Sequence, residues 1–271
     1  HKVTLEGNTL TGILTKSDKT LADYALTSNG VAVANALMAD SNLLGGLADS
    51  TKAEARKTIA SLANDIHVTA NAMTIANGQS LVREIKDQAI GIDGSARVAE
   101  VDGGRARLWM STIGNWSKMD RDGASKLKSD FYTGLIGLEA DVNVSNKVGI
   151  FFGAGKTKFK GGHDGKIDSK DFHFGIYGQS NLDPVRLSYG FAYTHQDRDS
   201  NRALFYKSQG FGSSASYNAK LAQVFGEAAY TGLNLGTVNI EPYVGLAWMH
   251  LSADDFSDTY AGQNVKTKFD S

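Results

Sequence analysis

With 271 residues the chain is long enough for one large domain or two ordinary ones, and its net charge of −1 gives no electrostatic footprint for nucleic acid. Thirty glycines, ten tyrosines and only two prolines favour strands and turns over a helical bundle, and a hydrophobic content of 41% is low for a large soluble α/β core. The absence of cysteine excludes disulfides and thiolate metal sites, and no apolar run reaches the roughly 18 residues that a transmembrane helix needs.

The start of the chain, HKVTLEGNTL, has the features of neither a signal peptide nor a transit peptide. Residues 1–19 alternate as a strand does, in KVTLEGNTLTGILT, and read as the last piece of a larger β structure or as one short hairpin. A helical pattern then runs from residue 20 to about 92. Asn29 and Gly30 precede VAVANALMA, and Thr51 with Glu54 has the spacing of a capping box before ARKTIASLAND, whose Ala55, Ile59, Leu62 and Ile66 fit one face. The next helical run, from Val68 through NAMTIANGQSLVREIKDQAI, is only weakly amphipathic, with Arg83, Glu84, Lys86 and Asp87 in its second half. A helix polar almost all round is either solvated or enclosed by a polar wall.

From Gly103 onward the period changes to two. Strands are predicted near 105–116, 129–142, 147–156, 171–180, 185–195, 215–230 and 237–252, with a last one starting near Val265. Short links (NVSN, NLDP, NLG) alternate with long polar ones (SKMDRDGASKLK, KFKGGHDGKIDSK, QDRDSNRALFYKSQGFGSS). Tight turns on one side and long loops on the other are the pattern of an outer-membrane barrel. The faces agree: Tyr132, Gly134, Ile136, Leu138, Ala140 and Val142 alternate with Thr133, Gly137, Glu139 and Asp141, and Val185, Leu187, Tyr189, Phe191 and Tyr193 with Arg186, Ser188 and Thr194. Lipid contact at the midplane would cost a charge such as Arg186 on the order of 2–4 kcal/mol, and Glu227 less, so the charged face is assigned to the lumen. Tyr132, Tyr177, Tyr189, Tyr193, Tyr230, Tyr243 and Trp248 fit interfacial girdles near the strand ends.

Several fragments, in order and spacing, resemble the C-terminal translocator domain of type Va autotransporters: GGRARLWMSTIGNWSKMDRDG, YTGLIGLEADVNVSNKVGIFFGAGKTKFKG, FHFGIYGQ, AQVFGEAAY and IEPYVGLAWMHLSADDF. The preceding EARKTIASLANDIHVTANAMTIANGQSLVREIKDQ is similar to that family's linker. The resemblance implies a mainly β fold, an antiparallel transmembrane β-barrel with an N-terminal helical linker threading its pore. Residues 1–19 would be a passenger remnant, 20–102 the linker ending in a pore-spanning helix, and 103–271 the barrel. It implies export of a passenger to the bacterial surface from the outer membrane. The expected partners are outer-membrane lipid or lipopolysaccharide, the barrel assembly machinery and the chain's own passenger, with no cofactor and no metal. The family's barrel usually has about twelve strands. Only about eight are visible before Ser271, and VKTKFDS lacks the family's terminal aromatic strand, so the chain is expected to be C-terminally incomplete.

Other chemistry is poorly supported. GAGKT echoes a phosphate loop, but Ile150 stands where its first glycine belongs and KFKGGHDG does not start a helix. No G-x-S-x-G occurs. His163 with Asp164 and His195 with Asp197 fall in or beside predicted outer loops without a third partner, and His173 and His250 stand alone. The candidate site residues are therefore lumenal: Gln223 and Glu227, which share a face with Phe225, and Arg105 and Arg107, facing a pore helix that carries Arg83, Glu84 and Asp87. Some relatives cleave their linker with a lumenal carboxylate beside an asparagine pair, and this linker contains no Asn-Asn. The rival readings are a soluble or surface-attached β-rich adhesin or binding module, or the non-catalytic tail of a surface protease or esterase.

Overall fold

The computed structural model describes all residues except 1, 7–8, 14–18, 41–46, 48–49, 92–95, 102, 104, 121–125, 162–164, 261–262 and 269–271. They form two compact units, one of His1–Ala63 with Phe205–Gln209, the other of Asn64–Leu204 with Gly210–Ser271.

In the first unit β1 (Lys2–Glu6) and β2 (Thr9–Ile13) pair as an antiparallel hairpin, the simpler of the two arrangements that the alternation allowed. Helix α1 (Ser28–Ala39) starts at Thr27, whose hydroxyl accepts from the Gly30 amide at 3.0 Å. Helix α2 (Lys52–Leu62) begins in the predicted capping box: the Glu54 carboxylate accepts from the Thr51 amide at 2.8 Å, and the Thr51 hydroxyl accepts from the Glu54 amide at 3.3 Å. The Thr51 backbone bond holds the Glu54 carboxyl below its ordinary range, further helped by the Thr51 hydroxyl. Ala34, Leu37, Leu47 and Ile59 close a small core, with Leu62 and Tyr206 packed on it. Ala55 and Ile59 are buried on one face as expected, but α2 ends at Leu62, and Ile66 belongs to the next helix.

The second unit is one long helix, α3 (Asp65–Ile90), with an eight-stranded antiparallel sheet. The strands are β3 (Ala96–Val101), β4 (Ala106–Met119), β5 (Leu127–Asn143), β6 (Asn146–Gly161), β7 (Gly165–Leu182), β8 (Val185–Tyr206), β9 (Gln209–Tyr230) and β12 (Tyr243–Ala253). Their order, β12-β9-β8-β7-β6-β5-β4-β3, is a meander in which consecutive strands are neighbours apart from the short hairpin β10 (Leu233–Leu235) and β11 (Val238–Ile240) between β9 and β12. A separate hairpin follows, β13 (Phe256–Tyr260) with β14 (Gln263–Thr267).

Three strand expectations change. The segment starting near Val265 lies in the β13–β14 hairpin rather than in the sheet, and the eighth strand is instead β3, ahead of residue 103. Strand 237–252 begins only at Tyr243. The polar stretches 158–170 and 196–214, read as loops, are mostly continuations of β6 to β9, and β8 and β9 reach 22 residues each. Beyond the apolar band the outward face of a strand meets water and turns charged, so its apolar half of the alternation is lost while ladder pairing goes on, as in Lys160 opposite Lys166 and Asp168 opposite Asp199.

The two faces divide as the alternation required. On β5 the outward Tyr132, Ile136, Leu138 and Val142 are exposed, while Ser129, Thr133 and Glu139 of the other face are buried. On β8, Ser188, Thr194, Gln196 and Arg198 are buried and Tyr189 is exposed. Phe152, Phe174, Ile176 and Val224 continue the greasy outer surface on neighbouring strands. Such a surface on the convex side of a curled antiparallel sheet matches a hydrocarbon environment and not a sandwich core. Trp116 and Tyr132 mark one border of it: the rings meet edge-on at 5.2 Å and the indole donates to the Tyr132 hydroxyl at 2.6 Å. Tyr177 departs from the girdle expectation. It is buried on the inner face, where Gly149 leaves room for its ring; a Cβ there would lie 2.3 Å from Tyr177 Cζ.

Candidate functional site

The site is the inner face of the sheet and the helix it encloses. At about 1.5 Å per residue the 26 residues of α3 span about 39 Å, enough to cross a hydrocarbon core of about 30 Å. Its buried positions, among them Ile66, Ala70, Met73, Asn77, Leu81, Ile85 and Ala89, recur every three or four residues and form one continuous face. The opposite side, with Val68, Gln79 and Arg83, is exposed. The helix is thus neither solvated nor polar all round: one face is enclosed by the wall.

Two apolar clusters seat it. Leu81, Val82, Ile85 and Ala89 meet Trp109, Leu135, Phe151, Tyr177, Ala192 and Phe225, one residue from each of β4 to β9. Toward the helix start, Ile66, Ala70 and Met73 meet Leu127, Phe159 and Ile167. The wall facing the helix is therefore partly apolar, where the alternation had predicted polar lining. Its large residues fit because small ones face them. Trp109 lies over Gly137, where a Cβ would sit 2.3 Å from the indole.

Between these clusters runs a polar network. Arg198, 1% exposed, donates to Asn71 Oδ1 at 2.6 Å and Thr74 Oγ1 at 2.7 Å on the helix, and to Gln196 Oε1 on its own strand. Gln196 donates to the fully buried Asp171 at 2.9 Å, and Ser169 and Thr157 donate to the same carboxylate. The arginine charge is thus linked through one amide to a buried carboxylate that accepts three bonds, which offsets the cost of desolvating both ions. Further along, Asn115 donates to Asn77 Oδ1 at 3.0 Å, Ser111 bonds Glu84, and Lys86 Nζ lies 2.5 Å from Glu227 Oε2. At the start of the helix His67 Nδ1 is 2.8 Å from the Tyr217 hydroxyl, and Arg202 bonds Asn64.

The candidate residues divide accordingly. Glu227 reaches the helix, but through Lys86. Glu84 reaches the wall through Ser111 of β4. Gln223 is fully buried, with both amide atoms lacking a hydrogen-bond partner among the described residues, and it packs on the helix where Gly78 passes. A Cβ at Gly78 would lie 2.5 Å from Leu221 Cδ2 and 2.8 Å from Gln223 Oε1, so this glycine sets the closest approach of helix and wall. Gly78→Leu is expected to destabilise the seated helix by about 1–3 kcal/mol, whereas Gly134→Ala, at a glycine with open space around it, is expected to change little. Denaturant midpoints of the two variants check this.

Arg107 shares the inner face with Trp109, two residues on, and is bonded along the wall. It donates to Glu139 at 2.9 Å and to Asp141 at 2.6 Å and braces β4 against β5, and Lys147 lies 3.6 Å from Glu139. Arg105 is exposed, and its carbonyl accepts from the Asp141 amide. Arg83 is exposed and Asp87 half-buried, and neither makes an ion pair among the described residues. His163 and Asp164 lie outside the described residues. His195 pairs with Asp197 at 2.9 Å on the outward face, and Gly153–Thr157 of the GAGKT motif lies inside β6. Among the described residues no three His, Cys, Asp or Glu side chains cluster as a metal site would require. Reading by residue type missed Arg198, because its segment looked like loop, although strict alternation across Thr194, Gln196 and Arg198 was the signal that could have found it.

Comparison with known proteins adds three findings. The family model described as Autotransporter beta-domain matches residues 108–271. Two proteins of Serratia marcescens, each described as an extracellular serine protease, are 26% identical over 202 residues and 24% identical over 206 residues, covering 74% and 76% of this chain. The chain spans about a fifth of the length of these relatives, 19% and 20%. Among solved structures, the translocator domain of the autotransporter NalP from Neisseria meningitidis shares the fold, with a TM-score of 0.57 at 16% identity, over 72% of this chain and 65% of that one.

Proposed function

Because the chain belongs to the autotransporter β-domain family, it is an outer-membrane translocator unit for a passenger displayed at the bacterial surface, and we propose that α3 is the plug left in its lumen once the passenger has passed. One observation carries the reading: α3 lies within the curled sheet and is bonded to its wall by side chains from β4, β8 and β9, through Ser111, Arg198 and Glu227. In this reading residues 1–19 belong to the passenger side and the helical segment before the sheet is the linker. Residues that contact α3, namely Glu227, Gln223 and Arg198, position the plug, while Arg107 holds the wall in shape.

The absence of cysteine allows a clean test. With Asn77→Cys and Asn115→Cys, whose side chains now meet at 3.0 Å, oxidation of intact cells should yield a cross-linked species that runs differently from the reduced one. Failure of the pair to form in the mature, membrane-inserted protein rejects the plug. Glu227→Gln leaves Lys86 a neutral partner and is expected to lower stability by about 1 kcal/mol. Unchanged stability together with unchanged passenger display would show that this contact has no specific role.

The barrel assembly machinery and outer-leaflet lipid, lipopolysaccharide included, are the partners this reading requires. Catalysis belongs to the passenger rather than to this unit. The names of the Serratia relatives favour a serine protease there, and loss of proteolysis by the full-length protein under a serine-directed inhibitor is the test.

A further inference from the structure

The outward face of β5 to β7 changes character at one level. Below it stand Ile136, Phe152 and Phe174; above it the same face is mostly lysine, with Asp130 and Asp168 among them. Lys156 sits between Tyr132 and Lys170, Lys158 between Asp130 and Asp168, and Lys160 between Lys128 and Lys166. The carboxylates do not neutralise this grid. Asp130 pairs with Lys160 at 2.8 Å and Asp168 with Lys166 at 3.1 Å, and Asp197, opposite Lys170, lies 2.9 Å from His195 Nε2, so six lysines (Lys128, Lys156, Lys158, Lys160, Lys166 and Lys170) face three carboxylates. Lys156, Lys158 and Lys170 form no ion pair among the described residues, and Lys156 and Lys170 are directly opposite each other, an arrangement of like charges that destabilises a sheet unless an anion is supplied.

A notch adjoins them. Thr112, Gly134 and Ala154 form one row directly beneath Lys156, a Cβ at Gly134 would meet nothing within 4 Å, and a groove of about 830 Å³ runs here from Thr112 and Gly134 to Lys156, Lys158 and Lys160. The level is the border of the apolar band, marked by the Trp116–Tyr132 pair, at the end of the strands away from the two-residue turns at 144–145 and 183–184. In an outer-membrane barrel that end faces outward.

We propose that Lys156, Lys158 and Lys170 bind the phosphate of a phosphorylated glycolipid of the outer leaflet, with one of its acyl chains lying in the notch at Gly134 and Ala154. Charge complementarity selects the headgroup, and the uncharged end of the groove at Thr112, Gly134 and Ala154, away from Asp130 and the lysines that line its other end, selects a lipid over a soluble anion. The inference rests on the outer-membrane placement of the sheet.

The test uses the intact protein extracted from outer membranes in mild detergent. Bound phosphorylated glycolipid per protein is measured by mass spectrometry, and binding of added lipopolysaccharide by titration. The triple variant K156Q/K158Q/K170Q is expected to bind at least about tenfold more weakly. The charge-matched control K52Q/K126Q/K220Q, dephosphorylated lipid and inorganic phosphate at equal ionic strength separate a lipid phosphate site from net charge, from the acyl chains and from a free anion site. Equal loss in both triple variants, unchanged binding in the first, or displacement by inorganic phosphate overturns the proposal. Heat-modifiable gel mobility is read in parallel: if it persists while lipid binding does not change, only the lysine site fails, and if it is absent from the parent protein the membrane placement fails instead.

Discussion

Arg198→Ala is expected to lower the stability of the second unit by about 3–5 kcal/mol, the range for removing one partner from a buried, hydrogen-bonded charge network. The side chain is 1% exposed and joins α3 to β8 through Asn71 and Thr74. Its loss leaves the Asp171 carboxylate buried without the nearby cation, and leaves Gln196 Oε1 with one bond, from Thr74, in place of three. Arg198→Lys keeps the charge but not the forked geometry and should fall between wild type and alanine. Denaturant midpoints give the energies. Limited proteolysis of α3 gives the location, with the alanine variant cut faster within 65–90. A change below about 1 kcal/mol with unaltered cleavage would mean that the network does not hold the helix.

Trp109→Ala is expected to cost about 3–5 kcal/mol as well, by a different route. The indole is fully buried, sits on Gly137, and donates to the Tyr177 hydroxyl at 2.8 Å, which in turn donates to Glu139 at 3.1 Å. Truncation opens a cavity beside Ile85 and Leu81 and also removes a donor from a buried chain that ends on Arg107. Tyr177→Phe breaks only the chain and should cost about 1–2 kcal/mol, so the difference between the variants separates packing from hydrogen bonding. Equal losses would show that packing contributes little here.

The strands around Tyr132–Val142 and Val185–His195 were legible because each has one face that lipid demands be apolar, and a period of two is visible in the residues themselves. The Thr51–Glu54 cap was legible for a similar reason, since it depends on residues three apart. What was hidden lies where that pressure ends. Arg198 stands on a strand continuation rich in charged residues that resembles loop, and Asp171, at the first residue of a predicted strand, gave no sign of its inward bonds. Trp109, Phe151 and Tyr177 are inward aromatics, and alternation alone does not distinguish an aromatic facing lipid from one facing a plug. Glu227 was identified, but its partner Lys86 was not, because a helix–wall pair 141 residues apart leaves no local pattern.

The separation of those contacts in the chain has a further consequence. Every strand pair of the meander from β3 to β9 joins neighbours in sequence, whereas the bonds from Arg198 to α3 bridge 127 and 124 residues. Loop-closure entropy therefore favours hairpins first, then the nearer contacts of α3 with β4, 27 and 38 residues apart, and the Arg198 bonds that complete its seat last. If α3 is the plug, as proposed, an export route built this way needs no hinged gate: it would stay passable while the staves assemble and be stoppered by the tail of its own cargo, at the moment nothing more remains to be threaded.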